Sequence, residues 1–371
     1  MTNTILILLM VISASAHYLG IISYLALSIL IIINVIKNSH TITRSFIIIA
    51  LLTIFLINSA YTIHSGLKID SVVGNFFLQV IFLLTLDYKK ENSQTVLEAI
   101  KWQIVLSFIL GLIGFSGINK SMLIDAGAAK GFSGFYALTG IFATPQLLAS
   151  ACIAFLIFQP IIKCRGAENK NNSNIVTYVS LCVLLVSLNR VNIVFFLLWK
   201  LTKPLFKKLG GNVILFLAAL FGCALFYIAI SFLSLDSTIL QTVQSRIALI
   251  LGVISTIDFN DIWQIIFGMF NTITFYLPEY LIDISYVENG FLFIFKYFGV
   301  FGLMIYLSFS IIIFISLFKR NKLLAFYAAF YLLIVQNFTN EFVSIIFPQI
   351  IYLLIYCAYA DNRSTMQLRI G

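Results

Sequence analysis

Few side chains in this sequence are equipped for chemistry, and most of those are charged groups set against apolar neighbours. In SYVENGFLFIFKYFGVFGLMIYL, residues 285–307, Glu288, Asn289 and Gly290 stand at the head of a long apolar run that Lys296 interrupts. Arg190 stands in SLNRVNIVFF, between two short apolar segments. Arg246 is the only basic residue across 235–290, a stretch that holds six acids: Asp236, Asp258, Asp261, Glu279, Asp283 and Glu288. Lys120 and Lys130 flank a stretch with Gly127, Gly131 and Gly134 nearby.

Each of these groups has a chemical reading and a plainer one. Arg190 reads as a fixed cation reaching into an external cavity, or as a loop arginine meeting lipid headgroups. The amides of Asn189 and Asn192 favour the cavity. Arg246 reads as a bidentate anion contact, or as the internal partner of one of the six acids; the two readings stand even. Glu288 reads as a general base or as a carboxylate suited to a helix start. Asn289 reads as a sugar-binding amide or an N-cap. Lys296, about two turns into the same helix, reads as an ammonium snorkelling outward. Lys120 and Lys130 read as a basic flap or a solvated loop. Tyr280 and Tyr286, among the aromatics of 263–286, read as platforms for sugar rings or as an interfacial belt.

Several chemistries lack their residues. There is no phosphate-binding Gly-rich loop ending in Lys-Ser/Thr, no Ser–His–Asp order and no HExxH. His17, His40 and His64 are scattered, so no metal-ligand spacing arises. The five cysteines, Cys152, Cys164, Cys182, Cys223 and Cys357, fall in apolar segments or a basic loop and suggest no disulfide framework.

The elements that must position these groups are membrane helices. The 371 residues are 61% hydrophobic and 10% charged, and the mean hydropathy is +1.04. A soluble domain carries roughly 25% charged residues. Backbone groups in lipid must be paired internally, which leaves helices or closed barrels. Unalternating runs such as Ile81–Leu86 and Ile311–Phe318 exclude barrel strands. The expected fold is all-α and polytopic, one integral membrane domain over 1–371.

Twelve spans are predicted, near 3–15, 18–36, 44–62, 72–88, 102–118, 146–163, 174–189, 191–206, 211–234, 291–318, 323–340 and 343–360. Ala14-Ser15-Ala16 has the form of a signal-peptidase box, but Met1–Leu6 lacks a basic residue, so a retained helix is expected. One set of connecting loops holds 17 of the 23 Lys and Arg residues and the other set holds 6. The richer set is assigned to the cytoplasm, with both termini. The net charge of +9 therefore reports topology and not nucleic-acid binding. Two long loops, 119–145 and 235–290, fall outside. In the second, Val243, Ile247, Ile250 and Ile254 recur at helical spacing, which predicts an amphipathic helix on the membrane surface.

With this topology, four short motifs carry a resemblance. They are Ser245-Arg246, Ile266-Phe267-Gly268, Glu288-Asn289-Gly290 and the run from Gly299 to Leu307. The chain resembles the Wzy O-antigen polymerase family and, more broadly, the O-antigen polymerase and ligase superfamily, whose membrane architecture is GT-C-like. The resemblance implies an inner-membrane glycosyltransferase that joins undecaprenyl-diphosphate-linked oligosaccharide units on the periplasmic face. It implies no metal and no other cofactor, and no nucleotide is required because the donor already carries its leaving group. It implies that Arg246 and Arg190 hold the diphosphate. Glu288 takes the place of a histidine often found in the ligases, which argues for the polymerase. The bilayer and the lipid-linked donor and acceptor are the implied partners, with a chain-length regulator as a candidate protein partner. A ligase and a flippase or transporter of the same lipid-linked oligosaccharide remain the rival readings. The absence of any likeness between the two halves of the chain weighs against a transporter.

Overall fold

The computed structural model describes residues 2–37, 42–125, 135–163, 170–209, 238–277 and 282–359. These are mostly helical. In chain order the helices are α1 (Thr2–Ala14), α2 (Ile21–Lys37), α3 (Ile42–His64), α4 (Ser71–Thr85), α5 (Lys90–Phe115), α6 (Pro145–Lys163), α7 (Lys170–Val186), α8 (Arg190–Leu209), α9 (Thr238–Ser255), α10 (Ile262–Phe267), α11 (Gly290–Arg320), α12 (Lys322–Ala329) and α13 (Ile346–Tyr359). α12 runs on through a π-helical turn, Phe330–Val335, and a last short turn, Gln336–Phe338.

Among the described residues, four helices are long and apolar enough to cross a membrane: Arg44–His64, Lys90–Phe115, Pro145–Ile162 and Gly290–Arg320. Seven more are apolar but shorter, including Asn3–Ala14, Lys322–Phe338 and Ile346–Tyr359. The predicted segment 211–234 lies outside the described residues, as do Cys164 and Cys223. α6 and α13 form the centre. The apolar window of α6 is 72% buried against 17% for α3, and Ile346 to Ala358 are buried without a break.

Caps place several helix starts. The Asp70 carboxylate accepts from the Val72 N–H at 3.0 Å. Asn321 separates α11 from α12, its side chain accepting from the N–H groups of Leu323 and Leu324 at 3.1 Å each. These contacts satisfy N–H groups that an apolar surround would otherwise leave bare.

The long 235–290 stretch is built rather than loose. It holds α9, α10 and an antiparallel hairpin of two strands, Phe275–Leu277 and Ile282–Ile284. The predicted amphipathic helix exists as α9. Gly252, against the Phe275 ring, and buried Val253 face the protein, and Ile247 and Leu251 stay exposed. The 119–145 stretch holds a second hairpin, Leu123–Asp125 with Tyr136–Leu138. The periodicity of three-residue strands is too short to detect, so neither hairpin was expected.

α11 is two helices. Gly299 has φ +63° and ψ −164° and breaks the run into 290–298 and 300–320. The Phe291 and Tyr306 rings lie 5.7 Å apart, although a continuous helix would separate residues fifteen positions apart by about 22 Å. The first half therefore folds back along the second. Gly268 (φ +77°) fills the break: a Cβ there would stand 2.2 Å from the Tyr297 carbonyl, and a Cβ on Gly299 2.3 Å from the Ile266 carbonyl oxygen. The Met269 N–H donates to the Lys296 carbonyl at 3.2 Å, replacing a bond that the break removes.

Gly268→Ala and Gly299→Ala are each expected to destabilise the protein by more than the ~1–3 kcal/mol of backbone strain alone, since the new methyl meets backbone. Gly74→Ala, inside α4 with open space around it, is the control and should not lower the melting temperature of the detergent-purified protein.

Candidate functional site

The break in α11 puts Glu288, Asn289 and Gly290 beside the turn that ends α12. Asn289 caps the first half-helix, its Oδ1 accepting from the Leu292 N–H at 2.9 Å. Its Nδ2 donates to the Asn337 carbonyl at 3.2 Å and to Asn337 Oδ1 at 3.1 Å. Asn340 Nδ2 donates to the Val287 carbonyl at 3.1 Å. Gly290 must be glycine, because a Cβ would stand 2.7 Å from the Gln336 carbonyl oxygen.

Arg246, from α9, joins the same place. Its Nη1 donates to the Phe338 carbonyl at 3.1 Å and lies 3.4 Å from Glu288 Oε2. The guanidinium carbon lies 5.5 Å from the centre of the Phe338 ring. Both protein contacts use Nη1. The Nε–Nη2 edge, a bidentate pair of donors, bonds to none of the described residues. Side-chain exposure is 34% for Arg246 and 36% for Glu288, so the pair is open to a ligand. Of the two even readings of Arg246, the internal one is present in the Glu288 contact, and the Nε–Nη2 edge has no partner among the described residues. Tyr286 lies near this pair. Partial burial and the Glu288 carboxylate hold its phenol above its ordinary value, with Arg246 opposing, so it is a neutral hydroxyl.

Directly behind, the same turn carries a carboxylate that sequence reasoning missed. Glu341 is fully buried. Its Oε1 accepts from Ser150 Oγ at 2.6 Å and Thr339 Oγ1 at 3.4 Å, and its Oε2 from the Tyr331 hydroxyl at 2.7 Å. Its backbone N–H donates to Gln336 Oε1 at 3.3 Å. Burial pushes its carboxyl up to about 7, against the lowering effect of these hydrogen bonds. TNEF, at 339–342, was legible by the rule that singled out Arg190: an ionisable residue between apolar segments.

Arg190 is exposed at the first position of α8. Asn189 and Asn192 are buried; Asn189 Oδ1 caps α8 by accepting from the Asn192 N–H at 3.0 Å. Asn192 Nδ2 donates to Ser150 Oγ at 3.3 Å, so it is Asn192 that connects this segment to Glu341.

Lys296 does not snorkel outward. It is 1% exposed, and its Nζ donates to Asn271 Oδ1 at 2.9 Å and to the Thr256 carbonyl at 3.4 Å. The fold-back turns its side of the helix toward the 256–271 segment, so the ammonium ties that segment to α11. Next to it, the Tyr297 hydroxyl donates to Asp70 at 2.5 Å. Lys120 stands apart, in the short turn before the Leu123–Asp125 strand and 5.7 Å from the Tyr136 ring centre, on elements that pack against α5 and α7. Lys130 and Tyr280 lie outside the described residues.

Two expectations follow. Asn289→Ala removes a cap and the bonds to Asn337, and should cost about 1–2 kcal/mol, read as a lower melting temperature. The raised Glu341 carboxyl means that the folded state keeps a proton to higher pH than the unfolded chain. Stability should therefore fall as pH rises from 4.5 to about 7 and level off above. Thermal melts of wild type and Glu341→Gln across that window check this, and the slope should shrink in the variant.

No protein-family model matches the chain, and no curated protein matches it.

Proposed function

We propose that this chain is a membrane glycosyltransferase of the Wzy O-antigen polymerase type, joining undecaprenyl-diphosphate-linked oligosaccharide units into long O-antigen chains. It crosses the bacterial inner membrane twelve times with both termini cytoplasmic, and the 119–145 and 235–290 stretches are periplasmic. The observation that carries the reading is the Nε–Nη2 edge of Arg246, unbonded among the described residues, beside the polar head of the first half of α11.

The chemistry follows from that edge. Transfer of a glycosyl group from a lipid diphosphate develops negative charge on the departing oxygen. A preorganised guanidinium stabilises that charge, most strongly where water is partly excluded. Arg presents two parallel donors to phosphate, which Lys cannot. Glu288, 3.4 Å from Nη1, fixes the guanidinium from the opposite side and leaves its outer edge to the ligand. In this reading Glu288 orients Arg246, and a diphosphate competes with it for the cation. Tyr286 offers a ring and a neutral hydroxyl to a sugar beside them. Arg190 serves as a second cation for the lipid-linked substrate.

Deletion of the gene tests the class: surface core carrying one repeat unit supports a polymerase, bare core a ligase, and no surface repeat a flippase. Arg246→Ala should abolish long chains with the protein still in the membrane. Arg246→Lys should lose about ten-fold or more, because a charge-assisted hydrogen bond is worth ~1.5–3 kcal/mol. Normal chains from both variants would sink the diphosphate assignment.

A further inference from the structure

Two carboxylates meet the turn that ends α12, and their surroundings differ. Glu288 faces a cation. Among the described residues, the Glu341 carboxylate is met by neutral donors, the hydroxyls of Ser150, Thr339 and Tyr331, while its backbone N–H donates to Gln336 Oε1. The titratable groups around it are Tyr331 and, farther off, Tyr327 and Tyr306. From α6 and α8 it meets the uncharged Ser150 and, through that hydroxyl, Asn192. The charges on the same turn are Arg246, bonded at Phe338 three residues away, and its partner Glu288. A fully buried carboxyl held by neutral groups binds and releases a proton near neutral pH, since burial disfavours its charge and no cation restores it.

The route outward is also defined. Ser150 and Tyr331 are themselves buried, whereas Thr339 is half-buried. Thr339 follows Phe338, the residue whose carbonyl holds Arg246, and its backbone is extended. Its hydroxyl reaches Glu341 Oε1 at 3.4 Å and the Val335 carbonyl at 3.1 Å. The π-helical turn Phe330–Val335 immediately precedes this stretch, and such turns concentrate at functional sites.

We propose that Glu341 is a proton-exchanging residue that acts through Thr339 and takes up the proton released by the acceptor sugar in the transfer reaction. The second half of this statement rests on the polymerase reading. The acceptor hydroxyl oxygen forms a bond to the anomeric carbon of the donor, and the bond from that carbon to the diphosphate oxygen breaks. The lipid diphosphate leaves with the electron pair. The acceptor proton passes to Thr339 Oγ1 as the Thr339 proton passes to Glu341. Nothing is oxidised or reduced, and no further reactant is needed.

The test combines a readout without substrate and one with it, on the full chain in lipid vesicles. In infrared difference titration, wild type should show a buried carboxylic-acid carbonyl band that disappears as pH rises through about 7 and is missing in Glu341→Gln. With an undecaprenyl-diphosphate-linked oligosaccharide as donor and acceptor, the wild-type kcat should fall at pH below that value. Glu341→Gln should lower kcat about 100-fold, within the usual range for loss of a proton acceptor, and abolish this acid limb. Thr339→Val should lower kcat by at least about ten-fold with KM unchanged, and Thr339→Ser should restore it. A titrating band that survives in Glu341→Gln overturns the proposal. So does a Thr339→Val enzyme with wild-type kcat and pH profile, a result that stays readable if Glu341→Gln does not fold. If wild type makes no polymer and the band still titrates, the polymerase reading falls and the proton site stands.

Discussion

The arrangement depends on one contact between two glycines. Gly268 and Gly299 each adopt a positive φ, and each lies against the backbone beside the other. Neither position accepts a Cβ. Their contact breaks α11, and the break turns residues 290–298 back along 300–320. A broken helix in apolar surroundings is stable only if its freed polar groups find partners. Here the Met269 N–H takes the Lys296 carbonyl, and the Lys296 ammonium takes Asn271 and Thr256. The segment that supplies these partners is itself fastened to α3 and α4. Asn58 bonds the Phe267 carbonyl, Thr62 the Phe270 N–H, and Asp70 the Phe270 carbonyl and the Tyr297 hydroxyl.

The fold-back brings the polar mouth against the last turn of the α12 segment. Gly290 then touches Gln336, Asn289 bonds Asn337, and the Phe338 carbonyl is left for Arg246. The turn from Gln336 to Phe342 is thus a common floor. On one side it carries a half-exposed cation with a vacant donor edge, and on the other a buried carboxyl. Such an ionisable pair of layers at the junction of apolar helices costs folding energy and is retained for function more often than for stability.

Much of this was legible in the residues. Long apolar runs gave the helices, and their ends agree with the expected segments within a few positions for α1, α2, α6 and α13. Asn289 as a helix start, and Glu288 with Arg246 as acid and base of one loop, were both readable from residue type. The strands were not, because three residues carry no period. The fold-back was hidden because Gly299 in an apolar run looks like any helix glycine until its partner at Gly268 is known. That is also why Lys296 was read as snorkelling: its direction depends on the break. Glu341 was visible as a lone carboxylate in TNEF, yet its burial depends on Ser150, which comes from α6, 191 residues away. Arg190 drew notice for its charge, whereas the buried contact of that segment is made by Asn192.

On the polymerase reading, Arg246 presents its Nε–Nη2 edge to a lipid diphosphate. Equilibrium binding of sugar-free undecaprenyl diphosphate to the protein in nanodiscs tests it without requiring turnover. The account predicts that Arg246→Ala weakens binding by about ten-fold or more, as loss of one charge-assisted contact requires. It also predicts that Glu288→Gln, which frees the guanidinium from its internal competitor, does not weaken it by a comparable factor. Equal affinity in wild type and Arg246→Ala would contradict the account.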